Sequence, residues 1–324
     1  MSFEAIHSVA SGSLWPKASH HAIARFLLAV IPVILSACDP SEPVAYQPEF
    51  TSAPISSAQE YIFGVHPQRN PEKLHAVFGP LINYLNTQLP DARFVFEASR
   101  NFASFDQKQA NHQFAFVLPN PYGTVVGIEN GYKVFAQMGN ENDLRGMIVI
   151  RRDSPIRKVT DLKGKVVSFP APTALAATMM TKYFLHTHGL NVNTDIESRY
   201  VGSMESSLMN VYQRNVAAGT VYPPAWRDFQ KNQPQVAAEL KVMWETESLP
   251  DNSLMARADI PQELVDRVAQ LILNMHTTDE GKAILAGMDM AKFKPANNAT
   301  YQPVKDFLKK YTASIPPDDA TARK

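Results

Sequence analysis

The chain has 324 residues, 45% of them hydrophobic and 19% charged, with Lys+Arg and Asp+Glu equal at 31 each. That balance carries no electrostatic footprint for nucleic acid or a bulk acidic partner, so any anion recognition has to be local. The length suffices for one large core or two medium ones, and the single cysteine, Cys38, excludes an internal disulfide framework and a cysteine-based metal cluster.

The first 38 residues read as a targeting segment. Residues 1–25 are polar with scattered positive charge, and 26–37 form an apolar run, FLLAVIPVILSA, too short to span a bilayer comfortably but of the length of a signal-peptide core. The run ends in Leu35-Ser36-Ala37-Cys38, which resembles the bacterial lipobox, where the cysteine is lipidated and becomes the new N-terminus. An ordinary signal peptide cut near Ala37 is the other reading. Asp39 resembles an inner-membrane retention signal, and 39–59, rich in Pro, Ser and Glu without an apolar period, reads as a flexible tether.

Folding is expected from Tyr61. Residues 61–65 form a buried strand ended by His66-Pro67, and a helix over 71–89 carries Leu74, Val77, Phe78, Leu81, Ile82 and Leu85 at helical spacing. A strand at 93–97, a helix at 105–111, a strand at 114–118, a helix at 123–130 and a strand at 132–137 follow. This alternation predicts a mainly parallel, doubly wound α/β sheet.

Residues 144–151 lead into a second such series. The strand 165–169 is broken by Pro170 and Pro172, Thr173 suits a helix cap, and 174–180 is a run of helix formers continuing to 186. Next come a strand at 198–201, a turn at Gly202-Ser203, a helix at 205–214, a strand at 217–221 and a turn at Tyr222-Pro223-Pro224. Strands at 240–246 and 253–257 let the chain cross back, and an amphipathic helix from Pro261 with two shorter helices closes the first lobe near Tyr311. The expected organisation is a first lobe of 60–143 and 247–314, a second of 144–246, hinges at 140–145 and 245–254, and a disordered tail over 315–324.

In open α/β sheets ligands bind beyond the carboxyl ends of the strands. The residues there are His66, Ser99-Arg100, Asn120 with Tyr122, Thr173, Ser203, and Thr220 with Tyr222. They are mostly hydroxyl, amide, imidazole and aromatic groups, which suit hydrogen bonding of a small oxyanion or polar metabolite between two lobes. The strand-to-helix turn within 165–180 adds outward backbone N–H groups that take up an anion. Each residue also has a structural alternative: His66 as a turn residue, Thr173 and Ser203 as caps, Arg100 as a surface charge, Tyr122 and Tyr222 as rim packing.

Catalytic patterns are missing. Val201-Gly202-Ser203-Met204-Glu205 lacks the second glycine of a nucleophile elbow, and His186 and His188, two apart on a helix end, do not share a face. Neither a phosphate-binding GxxxxGK[ST] loop nor a GxGxxG turn is present. The residues thus call for no catalytic group, no metal and no cofactor.

The segments GVHPQRNPEKLHAVFGPLINYL, RRDSPIRKVTDLKGKVVSFPAPTALAA and YVGSMESSLMNVYQRNVAAGTVYPP, in that order, resemble the phosphate/phosphite/phosphonate-type, PhnD-like substrate-binding proteins of ABC importers, over about 61–311. The resemblance implies the type II periplasmic binding protein fold, two α/β lobes joined by two crossover strands that close on an oxyanion. It implies ligand contacts at Asn120-Pro121-Tyr122, at Thr173 and Ala174, and at Ser203 with Met204. Met204 stands where the family commonly has a histidine, and Leu118-Pro119-Asn120-Pro121-Tyr122 where it has Gly-Pro-aromatic. The implied protein is a monomeric, lipid-anchored periplasmic lipoprotein that passes a phosphorus oxyanion to an ABC permease. A ligand-sensing module feeding a membrane signalling protein is the alternative.

Overall fold

Five of the ten α-helices among the described residues start on a side chain that caps them. Asn70, Asn101, Asn120, Ser203 and Thr278 each accept a hydrogen bond from a backbone N–H in the first turn of the helix that follows, at Lys73, Ser104, Gly123, Ser206 and Gly281 respectively. Four of these caps lie in short loops that follow a strand, so strand ends and helix beginnings come close together.

The computed structural model describes residues 58–140 and 142–316. The targeting segment, the lipobox cysteine and most of the tether lie outside them. The elements are β1 (Gln59–Val65), α1 (Pro71–Gln88), β2 (Ala92–Ala98), α2 (Phe102–Ala110), β3 (Phe116–Leu118), α3 (Pro121–Glu129), β4 (Tyr132–Met138), β5 (Met147–Arg151) and β6 (Lys165–Phe169). A π-helical stretch, Leu175–Met180, then runs directly into α4 (Thr181–Thr187). After it come β7 (Ile196–Tyr200), α5 (Met204–Tyr212), β8 (Ala218–Val221), α6 (Pro223–Asn232), α7 (Pro234–Ala238) and β9 (Leu240–Glu245). The chain ends with β10 (Ser253–Arg257), α8 (Gln262–Asn274), α9 (Asp279–Gly287), β11 (Phe293–Pro295) and α10 (Gln302–Ser314).

Two sheets result. The first has the order β11-β4-β10-β3-β1-β2 and the second β7-β6-β8-β5-β9. In the first, β1 to β4 run one way and β10 and β11 the other; in the second, β5 runs against its four companions. The antiparallel β5 and β10 are the strands entered immediately after the chain has crossed between sheets. Each sheet is thus mainly parallel with a returning strand set into it, which is the type II binding-protein architecture.

The two crossings lie side by side. Thr246 N–H donates to Gly146 O (2.9 Å), Gly146 N–H to Thr246 Oγ1 (2.9 Å) and Leu249 N–H to Leu144 O (3.0 Å), a short antiparallel ribbon. Gly146 is required there by close approach, because a Cβ at that position would stand 2.4 Å from Ala176 O and 2.5 Å from Thr181 Cγ2. The ribbon is seated directly against the helix that begins at Leu175.

Three large buried apolar clusters and a small one of Phe102, Ala171 and Ala174 fill the described part of the molecule. One, with Phe63, Phe78, Phe94 and Phe116, lies on the α1 and α8 face of the first sheet. Another, around Ile148, Val167 and Phe169, lies in the second lobe. The remaining large cluster contains Phe105, Val117 and Tyr132 of the first lobe together with Leu175, Leu208, Tyr222 and Trp226 of the second.

The structure departs from the sequence reading at several elements. The helices α6 and α7 and the strand β11 were not predicted: α6 offers only Trp226 and Phe229 as large buried anchors, and β11 is three residues ending in proline. Thr173 does not cap its helix. The cap position falls on Ala174, with no side-chain hydrogen bond. Ile315, expected to open a disordered tail, is buried with Leu185 and Val192, and Pro316 O accepts from Asn193 Nδ2 at 3.0 Å. Its apolar side chain follows α10 onto the second lobe, and the rest of the expected tail lies beyond the described residues.

Candidate functional site

The residues that follow five of the strands converge. His66 after β1, Asn120 after β3, Ala174 after β6, Met204 after β7 and Tyr222 after β8 line one cavity of about 20 Å³, completed by Phe102, Leu144, Leu175, Ala176 and Asn252. That is room for about one water, so admitting an oxyanion requires the lobes to part. Beyond Met204 a second opening of about 60 Å³ lies between Gln68, Arg69 and Lys73 of the first lobe and Ser203, Glu205 and Asp228 of the second.

The lobes are held against each other by hydrogen bonds around this space. Asn120 Oδ1 caps α3 at Gly123 N–H (2.9 Å), while its Nδ2 reaches across to Thr173 O (2.9 Å). Thr173 Oγ1 donates to Asp106 Oδ2 of α2 (2.9 Å). The Tyr222 hydroxyl donates to Gln68 Oε1. At the rim Arg69 pairs with Asp228 (2.8 Å) and Lys73 with Glu205 (3.3 Å). On another side Arg227 bonds Asp143 (2.8 Å) and Asp289 (2.7 Å).

The electrostatics follow from burial. His66 is pushed down to about 4, chiefly because burial disfavours its charged form, with Arg69 acting in the same direction. Its Nδ1 faces Leu118 O at 3.1 Å; a carbonyl has no proton to give, so Nδ1 carries the hydrogen. The imidazole is therefore neutral and its Nε2 is an acceptor. Burial raises Asp106 to about 6 and Asp251, beside Asn252, to about 7, and it holds the Tyr222 hydroxyl well above the usual phenol range. The cations at the second opening, Arg69 and Lys73, are already paired with Asp228 and Glu205.

Not every expected residue reaches the cavity. Arg100 is exposed and lies apart from it. Tyr122 is half-buried on α3, Thr173 is spent on the bond to Asp106, and Ser203 faces the second opening while capping α5. Thr220 turns into the second lobe and donates to Ser168 O at 3.2 Å. Asn252, Phe102, Leu144, Leu175 and Ala176 were missed. Asn252 sits in a crossing rather than after a predicted strand, though its place in a polar Pro-Asp-Asn turn before an apolar strand was a signal. Among the described residues no group of three or more His, Cys, Asp or Glu side chains could hold a metal ion, and no helix is long and apolar enough to cross a membrane.

Residues 63–301 match the family described as ABC transporter, phosphonate, periplasmic substrate-binding protein. The chain belongs to this family. Its members are substrate-binding components of transporters and not enzymes. The chain is 22% identical over 198 residues to the phosphonates-binding periplasmic protein of Escherichia coli, a match covering 57% of this chain and 58% of that protein. Two solved structures share the fold. A binding protein component of an ABC phosphonate transporter from Pseudomonas aeruginosa superposes with a TM-score of 0.74 at 15% identity, covering 79% of this chain and 88% of that one. PhnD1 from Prochlorococcus marinus, in complex with methylphosphonate, gives 0.71 at 19% identity, covering 78% and 97%.

Proposed function

We propose that this protein captures a small phosphorus oxyanion, a phosphonate, phosphite or phosphate, in the cavity between its lobes and delivers it to an ABC permease. The observation that carries this reading is the convergence of five post-strand residues, His66, Asn120, Ala174, Met204 and Tyr222, with the beginning of a helix on one interlobe cavity. A helix start offers several N–H donors and a positive dipole end to an anion without a mobile cation. Such donors hold a dehydrated oxyanion with defined geometry, which gives selectivity by shape.

Capture is a closure about the paired crossings at 139–146 and 246–252. The ligand enters with the lobes apart and the lobes then close on it less fully than in this structure, where the bonds from Asn120 to Thr173, Thr173 to Asp106 and Tyr222 to Gln68 leave room for about one water. Membership of a transporter family favours delivery over signalling. The protein acts as a monomer, tethered at the periplasmic face of the inner membrane by a lipid on Cys38.

Isothermal calorimetry of the mature protein against phosphate, phosphite, methylphosphonate and aminoethylphosphonate tests the ligand class. Saturable binding of at least one is expected; no heat from any of them overturns the phosphorus-oxyanion reading. For the anchor, intact mass of the membrane-extracted protein should show acylation at Cys38, and Cys38→Ala should release it into the periplasmic fraction.

A further inference from the structure

Two side-chain acceptors at the cavity, His66 Nε2 and Asn252 Oδ1, have no donor. Asn120 has its Oδ1 on Gly123 N–H and an Nδ2 hydrogen on Thr173 O. Tyr222 gives its hydroxyl hydrogen to Gln68 Oε1 and presents only lone pairs elsewhere. His66 gives its Nδ1 hydrogen to Leu118 O, so its Nε2 is a lone pair. Asn252, 2% exposed, directs Nδ2 at Met138 Sδ (3.5 Å) and has no partner for Oδ1.

A buried acceptor without a donor is strongly disfavoured, and a fully deprotonated oxyanion brings no donor. We infer that the site takes its oxyanion singly protonated: the charged oxygens face the helix start at Leu175, and the P–OH donates to His66 Nε2 or Asn252 Oδ1. This rests on the phosphorus-oxyanion reading and adds the protonation state and the two residues that select it. It also predicts discrimination against sulfonates, which match a phosphonate monoanion in shape and charge but carry no proton.

Other titratable and charged groups face these two residues from the surrounding elements. Phe102 and Phe105 of α2 pack on the His66 ring, and the same helix carries Asp106. Arg69, paired with Asp228, follows His66 in its own loop, Tyr222 stands across the cleft, and Asp251 precedes Asn252 under the influence of Asp143, Lys294 and Arg227. A pH profile with one ligand would mix these with the ligand's own ionisation, so the test varies the ligand.

Affinities of the wild-type protein for phosphite and methylphosphonate are measured by calorimetry across pH 5–9, with methanesulfonate at each pH. Phosphite loses its second proton at lower pH than methylphosphonate. Affinity should fall about tenfold per pH unit above each ligand's second ionisation, with the midpoint moving from one ligand to the other. Methanesulfonate should bind at least tenfold more weakly than methylphosphonate at pH 6. His66→Asn, which keeps a donor near Leu118 O and removes the Nε2 acceptor, and Asn252→Ala should each narrow that gap. A flat profile, a midpoint shared by both ligands, or equal binding of methanesulfonate overturns the inference while leaving the ligand class intact. Absence of binding by any phosphorus oxyanion at any pH overturns both.

Discussion

Thr173 Oγ1 lies 2.9 Å from Asp106 Oδ2, so the turn between β6 and the helix at Leu175 in the second lobe is tied to a helix of the first lobe. The acceptor is a carboxyl that burial has raised to about 6. A carboxyl raised above its ordinary value is more stable protonated in the folded state; its contribution is fully present below about pH 4 and is lost as pH rises through about 6.

Asp106→Asn should abolish that loss. Urea denaturation of the ligand-free wild type should show stability declining by on the order of 2 kcal/mol from this group between pH 4 and 7, and the difference between variant and wild type isolates it. Asp251, raised to about 7, declines in the same direction in both proteins and cancels in the comparison. Parallel profiles for the two proteins would show that Asp106 does not titrate in this range.

Gly146 joins the crossing ribbon to the helix that begins at Leu175. Gly146→Ala places a Cβ against a backbone carbonyl that cannot move alone, so it should destabilise by about 1–3 kcal/mol. It should also weaken binding of whichever oxyanion the protein takes, because the helix start shifts with Ala176. Unchanged chemical denaturation and unchanged affinity together would mean that the ribbon yields.

The Arg227 clasp to Asp143 and Asp289 is only partly shielded, with the arginine side chain 41% exposed, so it contributes modestly. Arg227→Met should raise the dissociation constant of the bound oxyanion about two- to fivefold, with the difference shrinking in high salt. Small-angle scattering of the ligand-free variant should show a larger radius of gyration, and one identical to wild type would show that the clasp does not hold the lobes.

Tyr222→Phe removes the hydroxyl hydrogen bond to Gln68 and leaves both ends of that buried amide unpartnered, since Gln68 Nε2 already lacks a partner. The expected loss is about 1–3 kcal/mol of stability by thermal or urea unfolding. The double variant Tyr222→Phe with Gln68→Leu should recover part of it, and failure to recover would assign the loss to packing.

Much of this protein follows from local patterning. The alternation of β-branched strands with helices of 3.6-residue period, several of them opened by Asn, Ser or Thr, required two wound sheets and put the strand ends and helix starts at one edge. His66, Asn120 and Tyr222 could be named as candidates because they follow a strand, and Ala174 and Met204 because the family resemblance placed contacts there. Only the tertiary structure decided which of the nine candidate ligand contacts meet. Arg100 follows β2, at the edge of the first sheet, and stays exposed, whereas Asn252 enters the cavity because two crossings 100 residues apart pair through Gly146 and Thr246. Thr173, a natural cap by its position, faces Asp106 instead, since the helix after it begins as a π-turn with its cap position at Ala174. Hydrogen-bond partners brought together by closure of the lobes leave no periodic trace in the chain.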